Sequence, residues 1–322
     1  MSNFFYGVKS MEKIKMQQTK LTFDDGFNMY IENCRQRNLR EATINHYKQS
    51  YKQFINYFSP DIPLCDLTKS VYDGYVIYLK QHLTNDVSIN AYLRDLITIF
   101  HYLMNNDYMQ FFKMQSIKVD KSAVETYTDA ELHILLQKPN VKNCTFIEYE
   151  SWVISCLLFC TGIRQHSLME LKIKDIDFDT FLLNVRVTKT RKPLLIPLNQ
   201  SIINILKEFL LHRQYHNKDD WLFCNVYGNQ LKKSTCYNML YRFNKSRGIE
   251  TTGIHRYRHT FAKQWIINGG NVVTLSRLLG HSNLSITQNY INLLVSDVAK
   301  QVNEINLLDK FSNNKHIKMK RK

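Results

Sequence analysis

The sequence contains few residues that break helices. It has 10 Gly and 5 Pro, where average usage in 322 residues would give about 23 and 16. Because glycine and proline both disfavour helices, their scarcity favours a helix-rich fold. With 44% apolar and 22% charged residues, the composition also excludes an intrinsically disordered chain. The length of 322 residues accommodates about two domains.

The seven cysteines lack the pattern of a disulfide framework or a zinc site. Their number is odd and the sequence contains no CxxC pair, so a reduced compartment is favoured. The N-terminus also lacks the apolar segment of a secretory signal. The longest nearly apolar run, residues 152–163, is shorter than the ~20 residues that a membrane span requires. We therefore expect a soluble, cytoplasmic protein with no membrane partner.

Acidic residues are in the minority, and the basic excess is unevenly distributed. Lys and Arg outnumber Asp and Glu by 43 to 28, which favours a polyanionic partner, with nucleic acid ahead of a membrane surface. Residues 124–308 carry 22 basic and 15 acidic groups, whereas residues 21–105 carry eight and nine. The N-terminal 20 residues have a net charge of +3 and residues 309–322 a net charge of +5. We expect the second half and the tails to provide most of the attraction to a polyanion.

Hydrophobic periodicity divides the chain into two domains. Several segments in the first third have the apolar spacing of helices, and this spacing is then lost. Thr128 and Glu131 have the spacing of a capping box ahead of a new apolar run, which indicates the first helix of a second domain. The predicted organisation is a basic arm (1–20), a helical domain (21–105), a linker (106–123), a second domain (124–308) and a basic tail (309–322).

Within these domains the pattern predicts helices and one β-hairpin. Thr43 is the expected N-cap of the second helix, and Gly162 suits the left-handed end of an apolar helix. Alternating apolar residues at 182–187 and a second apolar run at 194–196 predict a hairpin with a basic tip. Helical spacing occurs at residues 27–36, 43–58, 71–83, 88–104, 144–160, 164–171, 201–215, 234–245, 256–268, 272–279 and 295–306.

Three separated segments carry residues suited to phosphate chemistry. One is Thr-Gly-Ile-Arg, ending at Arg164; another is His-Arg-Tyr-Arg, from His255 to Arg258. The third is Leu-Gly-His, ending at His281, and Tyr290 follows nine residues later. Each has an ordinary alternative: a solvated helix start, an exposed basic pair or a packed tyrosine ring. By average composition, Leu-Gly-His with a tyrosine at a fixed offset would occur by chance in about one in a thousand such sequences.

The combination and order of these segments resemble the tyrosine recombinase, or phage integrase, family. The resemblance spans roughly residues 25–308 and is strongest over residues 160–291. In that family the three boxes supply two arginines, two histidines and a nucleophilic tyrosine, and a β-hairpin supplies a lysine. The resemblance therefore implies a catalytic set consisting of Arg164, Lys189, His255, Arg258, His281 and Tyr290.

The chemistry of these side chains fits strand transfer. The guanidiniums of Arg164 and Arg258 can clamp the non-bridging oxygens of a phosphodiester, where the transition state concentrates negative charge. The two histidines can donate hydrogen bonds and move protons near neutral pH. The resemblance gives Lys189 the protonation of the leaving 5′-oxygen and Tyr290 the formation of a covalent 3′-phosphotyrosine. Such a reaction needs no metal, cofactor or ATP.

The resemblance also implies an architecture and an assembly. The expected fold is mainly α with a small β-hairpin or sheet, arranged as a two-domain DNA clamp. A helical, SAM-like core-binding domain and an α+β catalytic domain would hold double-stranded DNA between them. The active form would be a homotetramer on two DNA sites, with residues 295–306 either exchanged between subunits or packed within their own domain. A mobile element, which integrates and excises, is the expected context.

Several positions depart from the family's pattern. Ser167 stands where the family usually has an acidic residue, and Glu170, one turn further on, is a partial substitute. Arg256 stands where an acidic residue often follows the first histidine. Two more basic residues, Arg191 and Lys192, lie in the same hairpin as the predicted lysine. These departures concern the surroundings of the catalytic set and the choice of the lysine.

Two other functions explain part of the sequence. Helices at 272–279 and 285–291 could form the helix-turn-helix of a non-catalytic DNA-binding regulator, which would explain the charge but not the Tyr290 spacing. A type IB topoisomerase would share the chemistry without exchanging DNA partners. His212 and His216 have a spacing found in zinc sites, but no third ligand accompanies them, so we predict no metal site.

Overall fold

The computed structural model describes residues 20–119, 124–189, 191–281, 283 and 287. The chain divides into two compact units, residues 1–121 and 122–322, and each has its own hydrophobic core. The described residues are mainly helical, with a three-stranded antiparallel sheet. The predicted fold class, mainly α with a small sheet in a two-domain chain, is confirmed. No helix within the described ranges has both the length and the apolar character needed to cross a membrane.

Four helices form the first unit around a core of aromatic rings. The rings of Phe23, Phe54 and Phe100 meet edge to face, with centroids 5.0–5.9 Å apart. The chain after the last of these helices stays on this unit, since Tyr72 Oη donates to the carbonyl of Gln115 at 2.9 Å. The helices are α1 (Phe23–Gln36), α2 (Glu41–Ile55), α3 (Lys69–His82) and α4 (Asp86–Asn105).

The start of α2 differs from the sequence-based expectation. Its N-cap is Arg40, not Thr43. Glu41 and the residue after it already have helical geometry, and the Thr43 amide donates to the Arg40 carbonyl at 2.8 Å. Thr43 therefore lies in the first turn, where its hydroxyl is not needed as a cap. The prediction was wrong because the apolar periodicity begins later than the helix.

The second unit is built around one buried helix, α6. This helix is apolar on nearly every side, so it lies inside the unit with α5, α8, α9 and α10 packed against it. The predicted capping box of Thr128 and Glu131 is present at the start of α5. The helices are α5 (Asp129–Leu136), α6 (Phe146–Thr161), α7 (Gln165–Met169), α8 (Gln200–His212), α9 (Lys233–Ser246), α10 (Ile254–Ile267) and α11 (Val272–Leu278).

The predicted hairpin is part of a sheet with strand order β1-β2-β3. The strands are β1 (Ile176–Asp177), β2 (Leu182–Val185) and β3 (Leu194–Pro197). Leu183 pairs with Ile196 and both side chains face the core, while their neighbours in the strands face solvent. The alternation that predicted the hairpin is therefore the burial pattern of β2 and β3 as far as Val185. Val187, predicted on the same side, lies beyond the end of β2 and is exposed. β1 has two residues, too few to produce a periodic signal.

Candidate active site

A single glycine fixes where Arg164 lies. α6 ends at Gly162, which adopts a left-handed conformation with φ 59° and ψ 20°. A Cβ at this position would lie 2.6 Å from Phe261 Cδ1 and 2.7 Å from Leu279 Cδ2, a distance that carbon atoms do not tolerate. The glycine turns the chain sharply, so that Arg164 becomes the N-cap residue of α7. The expected role of Gly162 as a left-handed helix end is confirmed.

Arg258 connects the ends of two helices to a histidine. It lies on α10 and is 5% exposed. One Nη donates to the carbonyl of Gly162 at 2.6 Å, and the other donates to the carbonyl of Leu279 at 2.9 Å. The second Nη also lies 2.8 Å from His281 Nε2. Arg164 donates to the same Leu279 carbonyl at 3.0 Å. Two guanidiniums from distant segments thus converge on one main-chain oxygen.

The contacts of His281 define its protonation state. A guanidinium can only donate hydrogen bonds, so Nε2 accepts from Arg258 and carries no proton. The proton is on Nδ1, which lies 2.8 Å from Thr287 Oγ1. Burial, reinforced by the charges of Arg258 and Arg164, lowers the pKa of His281 to about 4. His281 is therefore a neutral imidazole at pH 7.

Two further histidines lie on the first two turns of α10, in the field of the same cations. His255 is exposed, so it is only partly removed from water. This partial desolvation lowers its pKa, and the positive charges of Arg258, Lys233 and Arg164 lower it further. Burial lowers the pKa of His259 to about 4, with further contributions from His255 and Arg258. The positive charge of the site therefore resides on the arginines and lysines, and its histidines are neutral.

Arg164, Arg258 and His281 line one open pocket with a volume of about 650 Å³. Arg277 and Lys192 also line it, although neither was predicted to be a site residue. Arg277 lies near the end of α11, four residues before His281 in the Leu-Gly-His segment, and this proximity in the sequence was an available signal. Lys192 is three residues beyond the predicted lysine. Five side chains that bear positive charge or an imidazole therefore surround a cavity large enough for a phosphodiester group.

The remaining predicted residues have different positions. Lys189 is exposed between β2 and β3 and is not part of the wall of this pocket. Its assignment as the catalytic lysine stays a prediction, with Lys192 as the alternative that the geometry offers. Tyr290 lies outside the described residues, as do residues 295–306 and the second half of the alternative helix-turn-helix.

The positions that depart from the family's pattern have structural contacts. Ser167 lines the pocket, and its Oγ donates to the carbonyl of Val187 at 2.7 Å. Glu170 accepts from Gln230 Nε2 at 2.8 Å and is not part of the pocket wall. Arg256 pairs with a glutamate outside the pocket, Glu125. Among the described residues, no group of three or more His, Cys, Asp or Glu side chains could hold a metal ion.

Comparisons with known proteins show which families and relatives the chain is similar to. The profile of the phage integrase family matches residues 126–296, and that of the phage integrase SAM-like domain matches residues 22–119. The tyrosine recombinase XerD of Listeria monocytogenes is 28% identical over 283 residues, which cover 83% of this chain and 94% of that protein. The tyrosine recombinase XerA of Pyrococcus furiosus is 28% identical over 228 residues, which cover 69% and 75%.

Solved structures of similar fold are also known. An integrase of the transposon Tn1549, in complex with transposon right end DNA, has a TM-score of 0.73 at 18% identity and covers 88% of this chain and 100% of that one. A lambda integrase dimer bound to a core site has a TM-score of 0.66 at 19% identity, with 84% and 77% covered. At these identities the likeness is one of fold.

Proposed function

The chain belongs to the phage integrase family, and from this we propose that it is a site-specific DNA recombinase that cuts and rejoins strands through a covalent 3′-phosphotyrosine. The observation that carries the proposal is the convergence of Arg164 and Arg258 on the Leu279 carbonyl, beside His281. Three segments separated by up to about 115 residues meet there. Neither a solvated helix start nor an exposed basic pair requires such a meeting.

The arginines would stabilise the transition state of phosphoryl transfer. Both are oriented by main-chain carbonyls before any substrate binds, so little reorganisation is needed when charge develops on the phosphate. Removing one such preorganised donor typically raises the barrier by about 3–4 kcal/mol. Because the guanidiniums supply the positive charge, the proposed reaction uses neither a metal ion nor another cofactor.

The proton transfers are assigned to the tyrosine, the hairpin lysine and the histidines. Tyr290 Oη attacks the phosphorus, the bond from phosphorus to the 5′-oxygen breaks, and Lys189 donates a proton to the leaving 5′-oxygen. A free tyrosine has a pKa of ~10 and must lose its proton as it attacks. We assign the acceptance of this proton to the neutral imidazole of His255, while His281 accepts a hydrogen bond from Arg258 beside the phosphate. The phosphotyrosine ester conserves the energy of the broken bond, so rejoining needs no ATP.

The substrate would be double-stranded DNA, since the similar integrases of Tn1549 and lambda were solved in complex with DNA. Residues 21–105 would form the core-binding domain, residues 106–123 the linker and residues 124–308 the catalytic domain. The basic arm (1–20) and tail (309–322) would bind phosphates non-specifically. We assign the active form as a homotetramer on two DNA sites, located in the cytoplasm, and the context as integration and excision of a mobile element.

Trapping on a suicide DNA substrate tests this function. The wild-type protein is expected to form a covalent protein–DNA band, and Tyr290→Phe is expected to abolish it while DNA binding survives. Tyr227→Phe is the matched control, because this tyrosine is 84% exposed and outside the pocket. A band that persists in Tyr290→Phe would reject the nucleophile.

The same substrates separate the other functions. A helix-turn-helix regulator would give no covalent band with the wild-type protein. A type IB topoisomerase would give the band but no exchange of strands between two DNA partners. The proposed recombinase gives both products.

A further inference from the structure

One hydrogen bond connects the helix of Arg164 to the hairpin of Lys189. Ser167 is 6% exposed and lies on α7, three residues after Arg164. Its Oγ donates to the main-chain carbonyl of Val187 at 2.7 Å. Val187 follows the end of β2 and comes two residues before Lys189. This bond therefore connects Arg164 to Lys189 through a few residues, from Arg164 to Ser167 on α7 and from Val187 to Lys189 in the hairpin.

Other contacts attach the hairpin to parts of the unit other than α7. Arg186 binds the buried carboxylate of Asp175 through Nε at 2.7 Å and Nη2 at 2.9 Å, which anchors the end of β2 beside β1. Thr188 Oγ1 donates to the carbonyl of Lys192 at 2.6 Å and closes the loop on itself. Neither contact involves a residue of α7. The bond from Ser167 is a direct contact between α7 and the hairpin.

The chemistry of this bond explains why a serine suits the position. The partner of Ser167 is a carbonyl oxygen, which can only accept a hydrogen bond. An ionised carboxylate also only accepts, so an aspartate or glutamate could not make the same contact. It would bring two acceptors together at a buried site, at the cost of desolvating its charge. A threonine keeps the hydroxyl and can donate as serine does.

We propose that Ser167 is a positioning residue for protonation of the leaving group: its hydroxyl holds the hairpin that carries Lys189 in place relative to Arg164. This inference rests on the proposed recombinase function. It predicts that loss of the hydroxyl loosens the hairpin and weakens the delivery of the proton to the 5′-oxygen, while the arginines and the tyrosine keep their roles.

Limited proteolysis without DNA tests the tether itself. Trypsin cuts after Lys189 and Arg191, and mass spectrometry can follow these cuts separately from cuts elsewhere. Ser167→Ala is expected to raise the rate of cleavage in the hairpin roughly fivefold, which corresponds to the ~1 kcal/mol of one hydrogen bond. Ser167→Thr should stay near the wild-type rate, and Ser167→Asp should be cut at least as fast as Ser167→Ala.

Ser151→Ala is the matched control for this experiment. Ser151 is also buried, and its Oγ also donates to a main-chain carbonyl, that of Ile147 at 2.7 Å, but it lies on α6 away from the hairpin. In Ser151→Ala the hairpin should be cut at the wild-type rate. Equal hairpin cleavage in Ser167→Ala and the wild type would overturn the tether, as would the same acceleration in Ser151→Ala.

Cleavage of two DNA substrates tests the role in protonation. One is an ordinary suicide substrate, and the other has a sulfur atom in place of the bridging 5′-oxygen. A thiolate leaves without being protonated, so a defect in proton delivery should disappear with sulfur. Ser167→Ala is expected to form the covalent product roughly fivefold more slowly on the oxygen substrate and at the wild-type rate on the sulfur substrate. Ser167→Thr should restore the rate on oxygen.

The outcomes distinguish this inference from the function on which it rests. If the wild-type protein forms the covalent product but Ser167→Ala is equally slow on both substrates, the serine acts through the arginine or the fold, and the positioning role is wrong. If the wild-type protein forms no covalent product on either substrate, the recombinase function fails, and the assigned role of Ser167 fails with it. The thermal unfolding temperatures of Ser167→Ala and Ser151→Ala should be lowered by similar amounts.

Discussion

The residues of the site are held by main-chain carbonyls at helix ends. The carbonyls of Gly162 and Leu279 lie at the C-termini of α6 and α11, where helices leave acceptors unsatisfied. Arg258 donates to both, and Arg164 donates to the second. The negative ends of two helix dipoles thereby offset the repulsion between the guanidiniums. This arrangement keeps two positive charges close together before any phosphate arrives.

Replacing Arg258 should therefore destabilise the protein as well as inactivate it. Arg258→Ala removes the charged donor of the Gly162 carbonyl and of His281 and leaves the Leu279 carbonyl to Arg164 alone. We expect a loss of about 3 kcal/mol in the free energy of unfolding. Arg277→Ala is the control in the same unit, because this arginine lines the pocket but is exposed; its loss should stay within about 0.5 kcal/mol. Urea unfolding measures both. Equal, small losses would contradict the connecting role of Arg258.

The state of His281 is a second prediction for a single residue. We expect NMR of the free protein to show a neutral ring at pH 7 with its proton on Nδ1, because Nε2 accepts from Arg258. The ring should become charged only as the pH approaches about 4, compared with an ordinary value of 6.5. An imidazolium at pH 7, or a proton on Nε2, would contradict the assignment.

The direction of the accompanying pH effect on stability follows from this lowered pKa. Between pH 6.5 and about 4 the unfolded chain binds a proton at His281 that the folded chain excludes. The contribution of His281 to the free energy of unfolding is therefore fully present above pH 6.5, and it is lost as the pH falls towards 4. Urea unfolding at several pH values should have a shallower dependence in His281→Gln than in the wild type. The same dependence in both proteins would contradict it.

At the level of secondary structure, α10 and the end of α6 do most to form the site. α10 presents His255, Arg258 and His259 within little more than one turn, as residues spaced by three and four must be. α6 supplies no catalytic side chain, but its left-handed end directs the chain towards Arg164. The site depends as much on where a helix stops as on what a helix carries.

Substitution of Gly162 tests this dependence. In Gly162→Ala, a left-handed conformation costs about 1–2 kcal/mol, and the collision with Phe261 and Leu279 adds about 1–3 kcal/mol. Gly228→Ala is the matched control: it has φ 77° and no atom within 4 Å of its Cβ position, so only the conformational cost applies. Urea unfolding should therefore show a larger loss in the free energy of unfolding for Gly162→Ala than for Gly228→Ala. Equal losses would mean that the neighbours of Gly162 move aside at little cost.

At the scale of the whole molecule, net charge governs the proposed attraction to DNA. The chain has a net charge of +15, and residues 309–322 contribute +5 of it. Attraction of this kind is sequence-independent and weakens as salt increases, because bound cations are released from the DNA. The tail should therefore add affinity for any DNA without adding preference for a particular site.

Neutralising the tail tests this prediction. Replacing the five basic residues of 315–322 by serine should weaken binding to specific and random DNA by the same factor. It should also reduce the slope of log affinity against log salt by about 0.9 for each phosphate that the tail no longer neutralises. Lys138→Ser and Lys174→Ser are controls, since each lysine is already paired with a carboxylate, and they should leave the slope nearly unchanged. A change in preference between the two DNAs would assign the tail a role in recognition.

The sequence by itself determined the helices within the described residues, the hairpin, Gly162 as a helix end and the order of the basic boxes. These features depend on near neighbours: periodicity, caps and turn residues act over a few positions. The helix start at Arg40 was missed because an apolar pattern does not mark a helix that begins with polar residues. The family resemblance supplied the roles of the boxes, which the spacing alone did not.

Only the tertiary structure decided which side chains meet. It brought Arg277 and Lys192 to the pocket wall, left Lys189 exposed beside it, and gave Ser167 a partner 20 residues away. It also set the tautomer of His281, because that depends on a guanidinium 23 residues distant in the chain. Such contacts result from the packing of whole helices against a buried core, and no local pattern in the sequence encodes the distances between them.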